Sequence, residues 1–125
     1  MDDERARSIY ALLVLTAWAD GNLHPSEVLL EHAVLRELPE LAALPDKRGL
    51  ADAAKRDLDE GGLDTAVERA AQPLRARADR ELAFTSCVRM LEADGVLARQ
   101  EFRVLRVLRR LFGFDAADIS RMLGR

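Results

Sequence analysis

Apolar residues recur every three to four positions along almost the whole chain, and nowhere do they alternate as in a strand. The spacing of Ile9, Leu12, Leu13 and Ala17 predicts a helix over Glu4 to Ala19, with Gly21 as a left-handed cap that ends it. His24-Pro25-Ser26-Glu27 reads as a helix start. Pro25 suits the first helical position, and Glu27 falls where a capping box puts its carboxylate. That second helix runs to about Leu38, lined by Val28, Leu30, Val34 and Leu35. Pro39 and Pro45 bracket a short helical piece, Glu40 to Leu44.

Beyond it, Lys47 to Leu58 forms a helix behind Asp46 as cap, and Asp59-Glu60-Gly61-Gly62 is a loop by composition. Asp64 caps a further helix to Gln72, and Pro73 breaks it. A long helix to Ala93 turns Leu82, Phe84, Val88 and Leu91 inward. After a short link, Arg99 to Phe112 is helical, with Phe102, Leu105, Leu108 and Leu111 as its apolar stripe. Gly113 stops it, and a last helix spans Asp115 to Leu123. The expected fold is therefore all-α: one domain over residues 1–125, a bundle of six to eight helices built from two pseudo-symmetric helical hairpins.

Composition agrees. Of 125 residues, 49% are apolar and 33% charged, a globular mix, and aromatic residues are too scarce at 5% to favour strands. The single cysteine, Cys87, excludes an internal disulfide and a multi-thiolate metal site. Its neighbours Phe84, Val88 and Leu91 make it a buried thiol. The apolar run Ile9 to Ala19 is too short to cross a bilayer. The opening Met1-Asp2-Asp3-Glu4 is acidic where a signal peptide is basic, so a soluble cytoplasmic protein is expected.

The two hairpins share a signature: Asp20-Gly21-x-Leu23-x-x-x-Glu27 and, 74 residues later, Asp94-Gly95-x-Leu97-x-x-x-Glu101. Its glycines suit a helix that stops and turns. Its glutamates satisfy free backbone N–H groups and the positive end of a helix dipole. Asp20 and Asp94 differ, because each follows the C-terminal end of a helix, where the dipole is negative and unpaired carbonyls gather. Two explanations are open. Each aspartate bonds the backbone N–H groups of its own turn. Alternatively, a bound Ca²⁺ or Mg²⁺ draws on the aspartate, the glutamate and free carbonyls, all hard oxygen ligands.

A calcium EF-hand loop carries Asp, Gly, an apolar residue and Glu at four of the same positions. Its first two ligand positions would fall on Thr16 and Trp18 in one copy, and on Met90 and Glu92 in the other. Three of those four side chains bear no carboxylate, and helical periodicity runs through them. An EF-hand is excluded.

Ala19-Asp20-Gly21-x-Leu23-x-x-x-Glu27 and Ala93-Asp94-Gly95-x-Leu97-x-x-x-Glu101, each at a hairpin turn, resemble the two acidic motifs of the TerB-like family of bacterial tellurite-resistance proteins. The closing Leu111-Phe112-Gly113-Phe114-Asp115 before a short helix is similar to the end of that family's second half. The resemblance covers nearly the whole chain. It implies an all-helical domain with an acidic divalent-cation site at Asp20, Glu27, Asp94 and Glu101. It also implies a cytoplasmic stress-response module that works through protein partners beside a membrane-bound component. Related domains in membrane-anchored co-chaperones act as interaction modules, so a metal-independent scaffold is the alternative. His24 has Ala98 as its counterpart and is peripheral to such a site. Glu31 lies one turn beyond Glu27 on the same helix face and is peripheral too.

Other function classes find little support. No Gly-rich phosphate loop and no serine elbow is present. His24 and His32 are eight residues apart, without zinc-site spacing. The expectation is a protein without catalysis. From Arg99 onward seven arginines face three carboxylates, a net +4 against −7 for the first 98 residues. Arg99, Arg103, Arg106 and Arg110 recur at the spacing of a solvated helix face, without the recognition motif or interleaved aromatics of a nucleic-acid binder.

Overall fold

The computed structural model describes the backbone of residues 3–19, 37–93 and 99–124, with side chains at all of these except 19, 91–93 and 99–102. Among the described residues there are six helices and no strand: α1 Asp3–Ala19, α2 Pro39–Ala42, α3 Lys47–Ala71, α4 Arg77–Ala93, α5 Arg99–Phe112 and α6 Ala116–Leu123. The fold is all-α, as the periodicity predicts. Of the expected hairpins, the second has both helices described, α4 and α5. The second helix of the first hairpin falls mostly outside the described residues.

α1 is the centre of the molecule. Every residue from Leu12 to Ala17 is buried, as are Ile9 and Tyr10. A helix apolar all round must be enclosed on all sides, and α1 packs against α2, α3, α4 and α5. The one-sided stripe expected for this segment is thus an underestimate. Thr16, fully buried within it, satisfies its hydroxyl by donating to the Leu12 carbonyl at 2.8 Å.

Short-range signals set most helix ends. Pro39 opens α2, which stops at Ala42 rather than running on to Leu44. Lys47 closes that end by donating to the Leu44 carbonyl at 3.1 Å and to that of Ala42. Asp46 caps α3, its carboxylate accepting from the Gly49 N–H at 3.1 Å. The helix ends at Ala71, just before Pro73, and α5 ends at Phe112 before Gly113. Asp115 and Asp118 form a reciprocal capping box at the start of α6.

The loop expected over Asp59 to Gly62 is not there. Asp59, Glu60 and Gly61 remain helical, and the break is confined to Gly62 at φ 82, ψ 172. That conformation is essentially reserved for glycine, and one such residue redirects the chain. Arg69 and Asp57 show how sharply, because their side chains meet at 3.0 Å. Twelve residues of straight helix would separate them by about 18 Å. α3 is therefore two arms folded back at Gly62. Asp64, expected to cap the second arm, instead accepts from Arg103 of α5 at 3.0 Å.

The inward stripe of α5 is also turned from the expected one. Val104, Val107, Leu108 and Phe112 are buried, Leu105 is half-buried, and Leu111 is exposed at 38%. Spacings of three, one and four residues keep the buried set on one face more closely than the leucines alone do. On α4, Phe84, Cys87 and Val88 point inward as predicted, joined by Ala83 and Met90, while Leu82 is half-buried. Phe114 packs edge-on against both Phe84 and Phe112, and seats α6 over the α4–α5 pair.

Candidate functional site

Helix direction decides where the two signatures begin. Near its start, α1 places Arg5 3.2 Å from both carboxylate oxygens of Asp79, near the start of α4. Near its end, Thr16 touches Cys87 in the second half of α4. Two contacts that advance together along both helices make α1 and α4 parallel. Arg5 and Asp79 are 74 residues apart, the interval that separates Asp20 from Asp94. Thr16 and Cys87 are 71 apart, so the equivalence holds at the Arg5–Asp79 pair and shifts by three residues at the other, but the shared direction puts Ala19 and Ala93 at the same end of the bundle.

The Gly62 corner lies at that end as well. The first arm of α3 starts beside Asp3 and Arg7, which share a cavity with Asp46, Gly49 and Leu50. It then climbs to Lys55, whose ammonium stands 5.9 Å from the Trp18 ring centre. The second arm descends to Gln72, which lines another cavity with Glu4 and Arg5. α5 starts at the corner, where Arg103 pairs with Asp64. It runs antiparallel to α4, so that Arg80 near the start of α4 stacks over Phe112 at 5.4 Å.

Both signs of charge meet at this end, where the positive N-terminal end of α5 stands near the C-terminal ends of α1 and α4. α1 and α4 bring their negative dipole ends together, and neither has a basic residue in its last turn. Three acidic side chains of the corner are paired: Asp59 with Lys55 at 2.7 Å, Asp57 with Arg69 and Asp64 with Arg103.

The predicted ligands themselves, Asp20, Glu27 and Asp94, lie outside the described residues, as do His24, His32 and Glu31. Glu101 is in the first turn of α5, and its side chain lies outside them. Among the described residues no three His, Cys, Asp or Glu side chains are grouped closely enough to hold a metal.

The arginines of α5 mostly act within the molecule. Arg103, Arg106 and Arg110 are exposed, as their spacing predicts. Arg110 pairs with Glu68 at 3.2 Å, and Arg109 donates to the Phe114 carbonyl at 3.1 Å. On α6, Asp118 meets Arg77 at 2.8 Å and Arg121 meets Glu81. Sequence spacing gave no sign of the ion-pair partners, since those three pairs span 40 to 42 residues. Cys87 is fully buried, and burial pushes its thiol up to about 11 despite the adjacent Thr16. It is a packing residue rather than a nucleophile.

A family model supplies the remaining observation: that of tellurite resistance protein TerB matches residues 6–123, from α1 through α6 and across both signatures. The chain belongs to the TerB family. No curated protein and no solved structure matches it significantly. For this TerB-family chain the resemblance read from the two motifs and from the closing Phe112-Gly113-Phe114 is thereby established over nearly its full length. No described helix is long and apolar enough to cross a membrane.

Proposed function

We propose that this TerB-family chain is a non-catalytic module that binds a divalent cation, Ca²⁺ or Mg²⁺, within a bacterial stress-response system of the tellurite-resistance kind. Asp20, Glu27, Asp94 and Glu101 are the ligand set, with His24 and Glu31 peripheral. The module acts in the cytoplasm through protein partners, among them a membrane-bound component.

The observation that carries this reading is the parallel packing of α1 and α4. It sends the chain into both signatures from one end of the bundle, so the eight carboxylate oxygens belong to segments that begin at the same end. Two helix C-termini without a basic residue in their last turns favour a cation there. Charge of the same sign gathers where two helix C-termini meet, and further carboxylates raise that cost unless a positive ion is bound.

The test is thermal melting with and without millimolar Ca²⁺ or Mg²⁺. Binding to the folded state raises the melting temperature, and Asp20→Asn with Asp94→Asn removes the rise. A wild-type melting curve unmoved by either ion leaves the metal-independent scaffold, in which the same double variant folds and keeps its partners.

A further inference from the structure

We propose that the cavity between the second arm of α3, the start of α4 and the end of α5 is a docking site for the C-terminal carboxylate of a partner polypeptide whose last side chain is apolar. The cavity has a volume of about 490 Å³. It opens away from the acidic signatures, so the proposal goes beyond the cation reading and does not depend on it.

Arg80 supplies the charge. It lines the cavity, half-buried, and is fixed on two sides. Its Nε donates to the Leu74 carbonyl at 2.7 Å, and its guanidinium stands 5.4 Å from the Phe112 ring centre. Among the described residues no carboxylate pairs with it, and both Nη groups lack a partner. The other charges of the lining are matched within the molecule, Glu68 by Arg110 at 3.2 Å and Arg69 by Asp57 at 3.0 Å. One unbalanced positive charge remains, on a side chain already held in place. A guanidinium meets a carboxylate with two parallel N–H···O bonds, and an immobilised one loses little entropy in forming them.

Leu111 supplies the apolar contact. Among the described residues it is the large apolar side chain left exposed, and it lines the same cavity beside Phe112 and Ala71. A C-terminal residue carries its carboxylate and its side chain on one carbon, so the two reach Arg80 and Leu111 together. An aspartate or glutamate carries its carboxylate at the tip of the side chain and brings nothing apolar to Leu111.

The test is an NMR titration of the full chain, in metal-free buffer, with an N-acetylated tetrapeptide ending in leucine. The expected result is saturable binding that shifts the Arg80 Nε–H and Leu111 methyl signals. Amidating the C-terminus of the same peptide weakens binding about tenfold or more, as the loss of a charge-assisted pair does. Ending the peptide in serine, or Leu111→Ser in the protein, weakens it about three- to tenfold. Arg80→Gln abolishes binding, whereas Arg106→Gln, at an exposed arginine of α5 outside the lining, leaves it at the wild-type value. Amidation alters the probe alone, so its result decides the matter even where Arg80→Gln disturbs the fold. No binding at millimolar peptide, an amide that binds as tightly as the free acid, or shifts that bypass Arg80 and Leu111 overturns the proposal. So does equal binding of octanoate, or of an amidated peptide with an internal glutamate, since either assigns the cavity to a different carboxylate.

Discussion

Arg5 on α1 and Asp79 on α4 meet at 3.2 Å, and they are equivalent residues of the two halves of the chain. The pair reports helix direction and register, and so it determines which end of the bundle both acidic signatures start from. It is also unequal: the Asp79 side chain is only 12% exposed, that of Arg5 42%. Removing the arginine strands a largely desolvated carboxylate, whereas removing the aspartate leaves a guanidinium that reaches water. Arg5→Gln is expected to cost about 1–3 kcal/mol and Asp79→Asn less, read by urea denaturation of the two variants. Equal losses would contradict the burial argument.

Gly62 carries a second expectation. Its φ of 82 with ψ of 172 is strained for any residue with a Cβ, although the space around it is open. Gly62→Ala should therefore cost about 1–3 kcal/mol through backbone strain alone. Chemical denaturation measures the loss. The substitution should also slacken the Arg69–Asp57 contact across the fold, so Asp57→Asn should cost less in the Gly62→Ala background than in wild type. An alanine tolerated without loss would mean that the corner is not held by this glycine.

Alkaline stability follows from two buried groups. Burial raises the Cys87 thiol to about 11 and raises the Tyr10 phenol, whose hydroxyl has no hydrogen-bond partner among the described residues. Both are neutral when protonated, so the folded state holds their protons more tightly than the unfolded chain does. Their contribution is complete below the unfolded values. For Cys87 it is lost as pH rises from about 9 toward 11, a change of up to about 3 kcal/mol at 1.36 kcal/mol per unit. Denaturation midpoints at pH 8, 9 and 10 in wild type and Cys87→Ala should converge as pH rises. The same burial predicts that a thiol reagent at pH 8 labels Cys87 only after unfolding. Rapid labelling of the native protein would contradict it.

The capping box of α6 titrates in the opposite sense. The backbone N–H of Asp115, with help from Arg77, Asp115 and Arg121, lowers the Asp118 carboxyl below its ordinary value. The stabilisation is present above the usual carboxylate range and is lost as pH falls through the lowered value. Carboxylate titration by NMR should find Asp118 below its ordinary value. Asp115→Ala should cost about 1 kcal/mol and leave Asp118 lowered, because the backbone N–H of residue 115 that chiefly lowers it remains.

Helix ends were the most legible feature of the sequence, because caps and breakers act over a few residues. Asp46, Pro73, Gly113 and Asp115 each do what their local chemistry predicts. The stretch Asp59 to Gly62 misled because composition cannot tell a four-residue loop from one glycine in an unusual conformation. The inward face of α5 misled because Leu111 was counted as core, whereas Val104 and Val107 fill the contact with the bundle. Helix direction was not legible at all. Periodicity is the same for parallel and antiparallel packing, and only the contacts of Arg5 and Thr16 with α4 distinguish them. The repeated acidic signature was legible as a motif and as a family mark. That both copies are approached from one end was not, because the 74-residue interval acquires spatial meaning only from the Arg5–Asp79 contact.

Calcium-dependent melting tests the central claim most directly. In wild type, millimolar Ca²⁺ should raise the melting temperature by several degrees, the shift growing with the logarithm of concentration once sites are filled. Asp20→Asn or Asp94→Asn alone should each reduce the shift, and the double variant should abolish it while melting cooperatively without metal. A wild-type melting temperature that ignores Ca²⁺ and Mg²⁺, or a double variant that responds as fully as wild type, would contradict a cation site at the paired signatures.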